Sequence, residues 1–255
     1  MLQGIVHSIS PADMDETKRA VAHFSICFRD HNDAQCIVPL INMLSRQKLV
    51  VTTIDYDKAE ALFKNDDELL AYAKALIDHG DVDYYARGKA IIGRLASKGG
   101  LPALTLQHHL QYQELPKEKR CTTVPRFEEL ARLGSPPAMR ELALMKDDGT
   151  CMPQDTAAAT ALLEKAAPLD PMAKGILAVR LFEGKSMERD RDRAFELLAE
   201  AADAGDEYAL FQIGYAYWVG NYVGMDREEA RPYLERAAAM GHLTAAEILA
   251  KAPPP

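Results

Sequence analysis

Three segments of this chain, starting at Ala138, Ala173 and Ala209, align without a gap over their first 32 positions, and their starts lie 35 and 36 residues apart. A unit that short cannot bury its apolar faces alone and has to stack on its neighbours. The repeat therefore dictates an extended array before any single element is assigned.

The register reads as helix, turn, helix. Each segment places a small residue first, an aliphatic residue four later (Leu142, Leu177, Ile213) and a glycine eleven after the start (Gly149, Gly184, Gly220). That glycine suits the left-handed residue that ends the first helix. An Asp follows six residues on (Asp155, Asp190, Asp226) and suits the cap of the second helix, because its carboxylate can accept from unpaired N–H groups there. Paired alanines close the unit (Ala166-Ala167, Ala201-Ala202, Ala237-Ala238) and allow neighbouring helices to approach closely. Gly205 and Gly241 open the turn into the next unit, where the earlier repeat has Asp170.

The words Ala96-x-x-Gly99-x-x-x-Ala103 and Ala131-x-x-Gly134-x-x-x-Ala138 extend the array backward. About five repeats are expected, at 66–99, 101–134, 136–170, 171–205 and 207–241, with a closing helix from His242 to Lys251 ahead of a Pro-rich tail at 252–255. The second repeat is irregular: Glu114 replaces the glycine, and LPKEKRCTTVP predicts a longer loop. Residues 1–65 do not fit the register. ADMDETKRAVAHFSICF and VPLINMLSRQ suggest helices and QKLVVTTIDY a short extended stretch, together read as a helical cap over the end of the array.

The pattern A-x-x-x-[LI]-[AG]-x5-G-x-x-[VM]-x-x-D-x3-A-x6-AA-x-x-G closely resembles Sel1-like repeats, relatives of the tetratricopeptide repeat. The resemblance implies an all-α fold, a right-handed α-solenoid of helix pairs whose concave groove binds proteins or peptides. It implies no activity. Cys27 together with DYDKAEALF, AKALIDHG, GRLASKGGLPALTLQHHL and VPRFEELARLGSPPAMRELALMKDDGTCMPQD is similar to bacterial Sel1-repeat proteins encoded beside type VI secretion effectors. Some of that group look like immunity proteins for lipase toxins. Those relatives usually carry an export leader, which MLQGIVHSISPADMDE does not resemble, so the chain as it stands reads as cytoplasmic, or as periplasmic if a leader has been removed.

A net charge of -8 argues against a protein built to hold phosphate backbones, and the one short basic cluster, Lys117 to Arg120, reads as a solvated loop. No apolar run approaches the roughly 20 residues needed to span a bilayer. The cysteines at 27, 36, 121 and 151 include no CxxC pair and do not read as a zinc site. In a reducing compartment they would be free thiols, and in the periplasm one or two bridges could form, with the pairing open. His108-His109 cannot share one ligand face of a helix, since adjacent residues point about 100° apart. No hydrolase, zincin, Walker or dinucleotide fingerprint occurs, so no catalytic residue, metal or cofactor is expected.

The candidate partner-binding wall is drawn from the first helices of the three regular repeats. In the last repeat it comprises Phe211, Gln212, Tyr215 and Trp218, with Tyr217 assigned to the buried side. Arg140, Glu141, Leu144, Ile176, Val179 and Glu183 continue it. Aromatics on an exposed wall would anchor a partner; the competing reading packs them against the closing helix. Three functions follow: an immunity protein that occludes a bacterial effector, a regulatory or scaffolding adaptor, and a hydrolase of cell-wall fragments or β-lactams. The first carries most of the sequence signal.

Overall fold

A computed structural model describes residues 60–61, 63–79 and 81–251, together with Ile37 and Ile41. Among these residues every regular element is helical, as the repeat requires. The predicted helices and extended stretch of the first 60 residues lie outside the described set, apart from Ile37 and Ile41, which are helical and fully buried.

The chain divides into two compact units, 1–107 and 108–255. In the first, α1 (Asp66–His79) and α2 (Val82–Ser97) form an antiparallel pair. Asp81 starts α2 by accepting from the N–H groups of Asp83 and Tyr84 at 3.0 and 3.4 Å. Tyr72 and Leu76 of α1 and Ile91, Ile92 and Leu95 of α2 are buried in its core. Ion pairs Lys98–Asp66, at 2.6 Å, and Arg94–Glu60 brace its surface.

The boundary falls within α3 (Leu101–Glu114). The segment expected to be a longer loop is instead a 3-10 helix, Lys117–Thr123, running directly into α4 (Val124–Arg132). Arg120 holds it: its guanidinium donates to the carbonyls of Leu115 and Gln113, each at 3.1 Å, and lies over the Tyr112 ring. The end of the basic cluster is therefore structural. His108 is buried, donates from Nε2 to the Thr123 carbonyl at 3.1 Å and meets Phe127 edge-on, so burial pushes its pKa down.

The three regular repeats follow: α5 (Pro136–Asp148) with α6 (Thr156–Ala166), α7 (Pro171–Glu183) with α8 (Arg191–Asp203), and α9 (Glu207–Val219) with α10 (Arg227–Ala239). The closing helix α11 (Leu243–Lys251) packs on α10, with His242 Nδ1 accepting from the Ala245 N–H at 3.3 Å. Gly149, Gly184 and Gly220 adopt φ of 68°, 72° and 73°, and the aspartates six residues on cap the second helices. At Gly214 a Cβ would lie 2.8 Å from Leu234, so the small residue sets how closely α9 meets α10.

The first helices carry side-chain caps of their own. Ser135, Asp170 and Asp206 accept from Ala138, Ala173 and Ala209 at 3.4, 3.0 and 2.8 Å. Asp170 is thus not a stand-in for the glycine of the later turns; it matches Asp206, and its turn is one residue shorter.

The turn between paired helices ties each repeat to the one before it. Two residues after the capping glycine stand Cys151, Ser186 and Tyr222, all with positive φ. Cys151 forms a disulfide with Cys121 of the 3-10 helix. Beside Ser186, Lys185 reaches Asp147 of the preceding repeat at 2.8 Å. Tyr222 stacks on Phe182 of the preceding repeat, with ring centroids 4.3 Å apart.

The seams behind these turns differ in the same register. Between the first and second regular repeats, Arg180, only 2% exposed, pairs with Asp147 at 2.6 Å and donates to Thr160 at 2.8 Å. At the next seam Phe182, Phe195 and Ala216 hold the places of Asp147, Thr160 and Arg180, and Phe182 meets Phe195 edge-on at 5.0 Å. One seam is ionic and its neighbour aromatic.

Two outcomes follow. Gly184→Val should lower stability by about 1–2 kcal/mol, because a β-branched residue is strained at φ 72°; equal denaturant midpoints would count against this turn. For Asp147, burial raises the carboxyl pKa but hydrogen bonds from Lys185 and Arg180 outweigh it, so the folded pKa lies below the usual 3.8. Its stabilisation is therefore present above the unfolded value and lost as pH falls through the folded one. Asp147→Asn should cost about 3 kcal/mol near neutral pH, by leaving Arg180 buried without its charge partner, and the difference should shrink below about pH 4. Denaturant unfolding at several pH values measures it.

Candidate functional site

Repeat register arranges the wall in rows across α5, α7 and α9. Glu141, Ile176 and Gln212 form one row, and Leu144, Val179 and Tyr215 the next. All six stand on helices whose caps and seams are fixed by their own contacts, and successive first helices touch, α5 with α7 and α7 with α9. Leu144, Ile176 and Val179 are half-buried, Tyr215 is 39% exposed, and Glu183 is exposed at the C-terminal end of α7.

The N-terminal edge of the wall is polar and internally paired. Arg140 donates to Asp170 at 3.0 Å and to Glu141 at 2.6 Å, with 14% of its side chain exposed. Glu141 lies 3.6 Å from His109 Nδ1, and Gln113 lies 2.7 Å from the other ring nitrogen of His109. Burial holds the His109 pKa below its usual value and outweighs the pull of Glu141 in the other direction. Burial likewise raises the Asp206 carboxyl, and Asp170 nearby adds to the effect. Arg140 and Glu141 thus brace α3, α5 and the start of α7, and each meets a partner from within the chain.

The aromatics of α9 divide among different surroundings. Phe211 stacks on His242 at the start of the closing helix, centroids 4.0 Å apart, and on Tyr215 at 5.5 Å. Trp218 stands in the row of Phe182 and lies under the Arg227 guanidinium at 5.0 Å. Gln212 hydrogen-bonds Tyr208, whose ring lies over Gly175. Tyr217, expected on the buried side, is partly buried against Phe195 and Tyr233. Tyr215 is the aromatic of this group that the surrounding helices leave exposed, and Val219, one turn on, is 44% exposed.

The polar link from His109 through Glu141 and Arg140 to Asp170 was not legible in the repeat pattern, because His109 belongs to the irregular second repeat. The signal for the helix-starting caps was present, since Ser135, Asp170 and Asp206 each precede a first helix by one residue. Among the described residues, no group of three or more His, Cys, Asp or Glu side chains is placed to hold a metal ion, and no helix is long and apolar enough to cross a membrane.

The Sel1 repeat family matches residues 136–169, 173–206 and 207–242. None of the curated proteins matches the chain. Among solved structures, a Sel1 repeat protein from Oxalobacter formigenes is similar, with a TM-score of 0.55 and 19% identity over 83% of this chain and 88% of that one. A protective antigen present in uropathogenic Escherichia coli strains, displaying an SLR fold, gives a TM-score of 0.51 and 16% identity, covering 93% of this chain and 57% of that one. Residues 136–242 therefore match three Sel1 repeats, and the helical-repeat fold is similar to that of solved Sel1-repeat proteins.

Proposed function

We propose that the chain is a non-catalytic binding protein that grips a partner protein on the wall of α5, α7 and α9, and that the partner is a bacterial secretion-system effector, for example a lipase, which the chain neutralises as an immunity protein. The observation that carries this is Tyr215, an exposed aromatic at the end of a row of apolar positions on helices held by caps and seams. A surface already rigid loses little entropy on binding, and an aromatic anchor on it contributes more than the polar contacts around it. The mixture of Leu144, Ile176 and Val179 with Glu141, Glu183 and Gln212 suits a folded protein surface better than a nucleic acid, as does the net charge of -8. The effector assignment rests on the resemblance to Sel1-repeat proteins encoded beside such effectors.

The disulfide between Cys121 and Cys151 supports an oxidising compartment, and with it the periplasm. Replacing both cysteines with serine should lower stability by about 2–4 kcal/mol, because the bridge closes a chain segment of 30 residues. Thiol labelling of the chain in isolated cell envelopes should modify these two cysteines only after reduction; labelling without reductant would place the chain in a reducing compartment.

Co-expression with the proposed effector partner should give a stable complex and restore growth without modification of the toxin. Tyr215→Ala should weaken that complex by about 2 kcal/mol, roughly thirtyfold, with helicity unchanged. Trp218→Ala should weaken it too. Arg140→Glu should lower both binding and stability, since Arg140 is paired within the fold. With no complex and no rescue the immunity reading fails, and a partner encoded elsewhere would point to an adaptor.

A further inference from the structure

The bridge between Cys121 and Cys151 lies at the surface, and each of its ends is held in place by other bonds. Cys121 is exposed and Cys151 half-buried. On the side of Cys121, Arg120 fixes the 3-10 helix to the carbonyls of Leu115 and Gln113. The Thr123 hydroxyl donates to the Arg120 carbonyl at 2.6 Å, and His108 holds the Thr123 carbonyl. On the side of Cys151, the N–H groups of Thr150 and Asp155 donate to the carbonyls of Met145 and Lys146, both at 2.9 Å. The Gln154 amide closes the same turn on the Asp147 carbonyl at 2.7 Å. The equivalent turns at Ser186 and Tyr222 keep a positive φ at this position with no covalent tie, so the backbone conformation does not require one.

We infer that the Cys121–Cys151 bridge is a reversible latch, opened by a dithiol and reclosed by the reverse exchange with a disulfide, while the repeats stay folded. A thiolate of the dithiol attacks the sulfur of Cys121, the more exposed residue; the S–S bond breaks, and Cys151 leaves as a thiolate that takes up a proton. The second thiol of the reductant then attacks the mixed disulfide and releases Cys121. The dithiol ends as a disulfide and the chain as two thiols. Because the anchors outlast the bond, the two thiols stay close and reclosing has a high effective concentration. Opening frees the turn that follows α5, the first helix of the wall, while the contact of Glu141 with His109 still joins α5 to α3. The latch does not depend on the identity of the partner.

The test treats the full chain with dithiothreitol in the absence of denaturant, followed by alkylation and peptide mass mapping of residues 121 and 151. Both cysteines should become alkylated with the helical spectrum kept, and amide exchange should quicken at 117–123 and 149–155 but not in α7 to α10. With oxidised glutathione, the bridge should re-form from the folded, reduced chain at least about tenfold faster than from the chain unfolded in urea. Arg120→Gln, which releases the 3-10 anchor, should slow reclosing of the folded chain by roughly threefold or more. A bridge that yields only in denaturant, helices that melt as it opens, or equal reclosing from folded and unfolded chains would overturn the latch. Unchanged reclosing in the folded variant would do the same, and Thr123→Val gives the same reading if Arg120→Gln does not fold.

Discussion

Each regular repeat is tied back to its predecessor by the turn between its paired helices, and the rest of the unit depends on that tie. A short helix pair leaves an apolar flank that only the next pair can cover, so stability resides in the seams. At the shared turn position the chain uses a covalent bond, from Cys151 to Cys121, and ring stacking, of Tyr222 on Phe182, with an ionic contact from Lys185 to Asp147 beside Ser186. The backbone is the same in each turn, with a left-handed glycine cap followed two residues later by a second positive φ. What varies is the side chain placed there.

That variation allows neighbouring seams to differ in character while the helices keep their spacing. The Arg180 seam needs Asp147 ionised, and the seam where Tyr222 stacks on Phe182 has no such requirement. Both hold the first helices in contact, and this fixes the rows that end in Gln212 and Tyr215. In the same register, Leu181 and Leu197 stand where the next repeat has Tyr217 and Tyr233.

The fold was legible in the sequence wherever its cause is local. Gly149, Gly184 and Gly220 mark a backbone conformation, Asp155, Asp190 and Asp226 mark unpaired N–H groups, and both signals sit in the residues concerned. The first-helix caps Ser135, Asp170 and Asp206 stand one residue before each first helix, but the turn before Asp170 is one residue shorter and sets it level with a glycine of the later repeats. LPKEKRCTTVP breaks the register, so nothing local announced the 3-10 helix or brought Cys121 to Cys151. The candidate wall could be laid out by register, but not the company each side chain keeps. Phe211 is claimed by His242, Trp218 by Arg227 and Arg140 by Asp170, contacts that leave the first helix and so do not show in its register.

Hydrogen exchange of the chain alone and with the proposed effector partner tests the wall as a binding surface most directly. Slowed exchange across α5, α7 and α9, strongest around Tyr215, with α6, α8 and α10 little changed, is the expected result. Slowing confined to the second helices, or unchanged exchange at saturating partner, would contradict it.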